Sequence, residues 1–139
     1  VEIGQARLPV AFDAEHLRRI LVNLLDNADR HASGAAGSTR LALAARAEGG
    51  ATLSVLSDGK PIGAEVERHM FEPFYSTRSR GSGLGLYICR ELCERHGAAI
   101  EYRRRAAHER LVNEFVVTMA PAALAEATEP LPLAEPIGR

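Results

Sequence analysis

Three glycines at alternate positions, Gly81, Gly83 and Gly85 in the run Gly81-Ser82-Gly83-Leu84-Gly85-Leu86, constrain this chain more than any other feature. Without Cβ atoms, such a run lets backbone N–H groups close on an anion. The amphipathic stretch that follows to His96 opens a helix whose positive dipole end lies at the same place. Just upstream stands Phe71-Glu72-Pro73-Phe74. Together these blocks predict a segment that closes over a phosphate tail, with a nucleotide polyphosphate as the natural guest. The run matches neither common nucleotide fingerprint. No Gly-Lys-Ser/Thr ends it, as a P-loop requires, and no hydrophobic parallel strand leads into it as in a dinucleotide site. Alone it also fits a tight turn, so the ligand has to be argued from the rest of the chain.

Residues 14–32 read as one helix. Asp13 is its N-cap, no Gly or Pro interrupts it, and Ser33-Gly34 supplies the stop. At about 100° per residue, Leu17, Ile20, Leu21, Leu24, Leu25 and Ala28 share an apolar arc. Asn23, Asn27, Arg30 and His31 fall on a neighbouring polar arc. Asn is a mediocre helix former with little local reason to sit mid-helix. One reading is a solvated face. The other is a metal and phosphate face, because an amide oxygen is a hard ligand suited to Mg²⁺ and Arg and His meet phosphate oxygens.

The order Asn23-x-x-x-Asn27-Ala28-x-Arg30-His31, Ser57-Asp58-Gly59-Lys60-Pro61-Ile62, Phe71-Glu72-Pro73-Phe74, Gly81-x-Gly83-Leu84-Gly85-Leu86 resembles the catalytic ATP-binding domain of two-component sensor histidine kinases. The blocks correspond to that family's N, G1, F and G2 boxes, and the likeness runs from about Pro9 to Met119. The wording after the G2 block looks closest to the nitrogen-regulation and pilus-regulation sensor kinases.

The resemblance implies ATP and Mg²⁺ as cofactors. It implies that Asn27 coordinates the Mg²⁺, that Asn23 supports the metal or its waters, and that Arg30 and His31 contact phosphate or ribose. Ser57, Asp58, Gly59 and Ile62 would line the base side. Gly81, Ser82, Gly83, Leu84, Gly85 and Leu86 would form the hinge and phosphate-facing turn of a short flexible ATP lid, with Arg78 or Arg80 available to the γ-phosphate. Phe71 and Phe74 would anchor the lid and face a helical dimerisation and phosphoacceptor domain, with a response regulator as the downstream partner. The activity implied is transfer of the γ-phosphoryl group to a histidine. Related ATPases of this fold carry a Glu where Asn23 stands; an amide cannot take a proton from water or a serine hydroxyl, which favours histidine as acceptor.

One departure matters. The family's G1 block begins with an Asp that accepts from the adenine amino group; the alternation Leu53, Val55, Ser57 puts Ser57 there, and Pro61 replaces the second glycine. Asp58 points to the opposite face unless the strand end bulges. A neutral hydrogen bond in place of a charge-assisted one costs about 1–2 kcal/mol, roughly tenfold in affinity. Three readings stay open here: a kinase domain with an altered base contact, a degenerate regulatory domain that docks without nucleotide, and an ATPase.

The remaining strands are expected at 8–12, 40–47, 52–57, 98–105 and 111–119, with helices at 64–69 and 84–96 and a hairpin turn at Gly49-Gly50. This is an α+β fold: a two-layer sandwich of a mixed sheet with helices on one face. Residues 1–120 form the domain; 121–139, rich in Ala, Pro and Glu, read as a disordered tail. With 139 residues, 46% of them hydrophobic, the chain can build one core, and a formal charge of −1 gives no basic field for nucleic acid. The Arg103-Arg104-Arg105 cluster reads as a solvated strand end. Cys89 and Cys93, one helical turn apart, read as buried thiols of a reducing compartment. No apolar run long enough to span a bilayer is visible, and a cytoplasmic setting is expected. No histidine precedes Asp13, so this segment is not expected to phosphorylate itself.

Overall fold

The computed structural model describes residues 2–3, 10–75, 83–106 and 108–122. Its elements in chain order are β1 (Glu2–Ile3), α1 (Ala14–His31), β2 (Thr39–Ala45), β3 (Ala51–Ser57), α2 (Ala64–His69), α3 (Gly85–Arg95), β4 (Ala99–Arg104) and β5 (Asn113–Met119). The sheet order is β1-β2-β3-β5-β4. Strands β2 to β5 form an antiparallel sheet, and β1 adds parallel to β2, so the sheet is mixed.

The apolar arc of α1 does what its spacing predicts. Ile20, Leu24 and Ala28 are buried, while Leu17, Leu21 and Leu25 pack around them. They meet Leu53 and Val55 of β3, Val117 and Met119 of β5, and Cys89 and Cys93 of α3. Each fully buried leucine or isoleucine contributes about 1.5–3 kcal/mol relative to exposure. Asp13 caps α1 by accepting from the His16 N–H at 3.0 Å. At the same end, His16 Nδ1 and His96 Nε2 lie 2.8 Å apart, tying the start of α1 to the end of α3. Gly49 and Gly50 take φ of +102° and +84°, so the hairpin between β2 and β3 turns where expected.

The first expected strand is corrected. Residues 4–9 lie outside those described; Val10 makes an isolated bridge to Pro121, and the Ala11 N–H donates to the Ala120 carbonyl at 2.9 Å. The two-residue β1 carries no periodicity a sequence could reveal. Residues 123–139, the expected tail, and 76–82, the expected lid, also lie outside the described residues. Among the described residues, no helix is long and apolar enough to cross a membrane.

Candidate functional site

A cavity of roughly 460 Å³ opens between α1, α2, the β3–α2 loop and the start of α3, a size that suits a nucleotide-class ligand. The polar arc of α1 faces it: Asn23, Asp26, Asn27, Arg30 and His31 all line it. Gly83, Gly85 and Leu86 line it from the turn into α3, so residues of the α1 and glycine blocks share one cavity. Leu84 is the N-cap of α3 and makes no side-chain capping bond. Gly85 and Leu86 of the first turn line the cavity, where the helix dipole favours negative charge. A Cβ placed on Gly85 would stand 3.9 Å from Asn23 Oδ1, an ordinary contact.

Asn23 carries the most telling atom. Its Nδ2 is buried against the Cys89 thiol, a weak acceptor, and has no stronger partner. Beside it, burial and the neighbouring Cys93 push the Cys89 thiol up to about 12, with the Asn23 amide opposing the shift. Burial pushes Cys93 up to about 11. Both cysteines are inert, protonated core residues. Asp26 and Arg30 form an i,i+4 pair at 2.9 Å on the cavity wall.

The opposite wall is apolar, built by Ile62, Val66, Met70 and Phe115. Here the structure corrects the sequence reading. Ser57, Asp58, Gly59 and Leu84 are not among the lining residues, whereas Lys60, Pro61, Gly63 and Tyr75 are. Ladder pairing runs unbroken through Thr39–Ser57–Asn113, so no bulge rotates Asp58 inward. Its carboxylate accepts instead from the Ser33 N–H at 2.8 Å and the Ser33 hydroxyl at 2.7 Å, with Arg110 at 3.8 Å. The Ser33 N–H and hydroxyl hold that carboxyl below its ordinary value of 3.8. Ser57 alternates in phase with Leu53 and Val55 on β3 and is buried, outside the cavity lining. Gly59 has a packing role: at φ +100°, a Cβ there would lie 2.4 Å from the His31 carbonyl oxygen.

The β3–α2 loop is held by two residues that the sequence did not single out. Tyr102 donates to Asn113 Oδ1 and accepts from the Ile62 N–H at 3.1 Å. Asn113 Nδ2 donates to the Lys60 carbonyl at 3.1 Å and to that of Asp58 at 3.4 Å. Burial pushes the Tyr102 phenol up, so it stays a donor. The only available signal was an Asn opening a strand, a residue depleted there.

Phe71 and Phe74 part company. Phe71 turns inward and packs against the core, edge-on to Phe115 with centroids 6.2 Å apart. Phe74 is 76% exposed at φ +67°, and its N–H donates to the Gly83 carbonyl at 2.8 Å. Residues 76–82, which contain Arg78, Arg80, Gly81 and Ser82, lie outside the described residues. Of the basic cluster, Arg103 and Arg104 are exposed, while Arg105 pairs with Glu109 at 2.7 Å and Glu114 at 3.4 Å.

An α+β sandwich with a polar helix stripe facing a glycine turn defines a class of anion-binding domain, and comparison with known proteins narrows it. Residues 12–121 match the family described as histidine kinase-, DNA gyrase B- and HSP90-like ATPase, and the chain belongs to that family. It is 38% identical over 108 residues to the sensor protein kinase PilS of Pseudomonas aeruginosa, a match spanning 76% of this chain and 20% of that protein. The catalytic domain of the histidine kinase ThkA superposes with a TM-score of 0.73 at 29% identity, covering 86% of this chain and 75% of the other. Full-length ShkA in complex with AMPPNP superposes at 0.68 with 25% identity, covering 86% and 25%. The expected family and α+β fold are thus borne out, and the relatives are sensor histidine kinases. The chain spans about a fifth of the length of PilS.

Proposed function

We propose that this domain binds Mg²⁺·ATP in the cavity and donates the γ-phosphoryl group to a histidine on a separate dimerisation and phosphoacceptor domain, as part of two-component signalling with a response regulator downstream. The observation that carries this is the convergence of Asn23, Asn27, Arg30 and His31 with the start of α3 on one cavity. The residues present fit Mg²⁺. Asn27 offers a hard oxygen, Asp26 stands beside it, and among the described residues no group of three His, Cys, Asp or Glu is ready to hold a metal by itself. Such a donor set suits an ion that arrives with nucleotide phosphates as co-ligands. When bound, the ion would neutralise charge on the phosphates.

The chain's own residues do the positioning. Asn27 would hold the ion and Asn23 support it; Arg30 and His31 would meet phosphate or ribose, and the α3 N–H groups near Gly83 and Gly85 would receive the phosphate oxygens. Asn23 has no basic atom with which to activate water, so the phosphoryl group is kept for a nucleophile that needs no base, a neutral imidazole. Exposed Phe74 is the docking residue for the phosphoacceptor domain. The domain works in the cytoplasm.

Calorimetric titration with ATP and AMPPNP, with and without Mg²⁺, tests this reading. Saturable binding that weakens in Asn27→Ala supports it. The engagement of Asp58 by Ser33 and Arg110 favours a second reading, a degenerate docking domain. No heat at millimolar nucleotide, from a chain that still melts cooperatively, would establish that reading.

A further inference from the structure

The apolar wall of the cavity is suited to a flat base, and what surrounds that wall decides which base. A cavity tells adenine from guanine by fixing a group opposite the 6-position, an acceptor for the adenine amine or a donor for the guanine carbonyl. Sites built around such a bond discriminate by large factors, whereas apolar contact alone discriminates weakly, on the order of 10²-fold or less. Among the described residues lining this cavity the one carboxylate is Asp26, which is on α1 and paired with Arg30.

Several polar groups near the apolar wall are committed to the scaffold. Asp58 is held by Ser33 and Arg110 on the far face of β3. The carbonyls of Asp58 and Lys60 accept from Asn113, and the Ile62 N–H donates to Tyr102. Ser57 is on the correct side of β3, yet its hydroxyl stops short of the cavity. The loop at 76–82, Ser-Thr-Arg-Ser-Arg-Gly-Ser, contains no carboxylate to bring from elsewhere.

We infer that this cavity takes purine nucleoside triphosphates with little discrimination between adenine and guanine, and that the short side chain of Ser57 sets this tolerance. The inference rests on the nucleotide-binding reading above. The base is held by stacking on Ile62, Val66, Met70 and Phe115, and affinity comes from the phosphates. Lengthening Ser57 to Asp carries an acceptor one atom further from β3, towards the base.

The test is a parallel titration of the 139-residue chain with the imido analogues of ATP and GTP in Mg²⁺. Dissociation constants within roughly fivefold of each other are expected, since apolar contact contributes about equally to both bases. A wider gap in favour of the ATP analogue overturns the inference and leaves the kinase reading intact. Binding of neither analogue to a cooperatively melting chain overturns both. In Ser57→Asp the ratio should move towards adenine by about tenfold or more, the worth of a charge-assisted bond. A folded variant with an unchanged ratio removes Ser57 from the assignment. If the buried carboxylate prevents folding, the wild-type ratio still decides the tolerance itself.

Discussion

The two walls of the cavity are built on opposite plans. On the α1–α3 side, polar groups line the space: Asn23, Asp26, Asn27, Arg30 and His31, together with the glycine turn at Gly83 and Gly85. On the β3–α2 side the polar groups face away, with Asp58 bound to Ser33 and the loop backbone bound by Tyr102 and Asn113. A wall that turns amide, carboxylate and cationic side chains to an open cavity is organised for a polar ligand. The second is organised for stability. Substitutions on the two walls should therefore separate into those that change folding and those that change binding.

The largest expected effect is on the stability side. In Gly59→Ala, a Cβ would meet the His31 carbonyl at 2.4 Å from a backbone at φ +100°. Strain of this kind costs about 3 kcal/mol and should lower the melting temperature by about 10 °C. A calorimetric scan unchanged by that substitution would break the claim that this glycine is there for packing. Next comes Asn113→Ala, which strips the Lys60 and Asp58 carbonyls and the Tyr102 hydroxyl of one partner. A loss of about 2 kcal/mol is expected by chemical denaturation.

The contrast between the walls also explains what the sequence disclosed. Periodicity exposed α1 completely, because a helix prints its faces at fixed offsets, and both the core arc and the polar arc landed where those offsets put them. The β2–β3 hairpin and α2 were equally legible from Gly49-Gly50 and the 64–69 spacing. Side chains that act across the sheet were not. Nothing local in Tyr102 or Asn113 says that they hold a loop some 40 or 50 residues upstream, and nothing near Ser33 says that it claims Asp58. The Phe71-Glu72-Pro73-Phe74 block marked its importance, but the division of labour between an inward Phe71 and an outward Phe74 depends on a positive φ that the sequence does not encode.

Asn27→Ala sharpens the comparison from the ligand side. Alanine is the better helix former, and Asn27 is only partly buried, so the melting temperature should hold or rise. Nucleotide affinity in Mg²⁺ should nevertheless fall by about tenfold or more, as expected for loss of one charge-assisted contact. A variant that lost stability and kept affinity would place Asn27 with the scaffold.

The smallest effect belongs to Asp58, and pH reveals it. Its folded-state carboxyl is held below 3.8 by the Ser33 N–H and hydroxyl, so its contribution is fully present above that ordinary value and is lost as pH falls through the lowered one. Asp58→Asn should lower stability slightly near neutrality, since one amide oxygen replaces two carboxylate acceptors, and should flatten the acid limb of the stability curve below 3.8. Nucleotide affinity should not move, because this side chain is turned from the cavity. A drop in affinity with the acid limb intact would mean that Asp58 reads the base after all, and the division between the two walls would fail at its weakest joint.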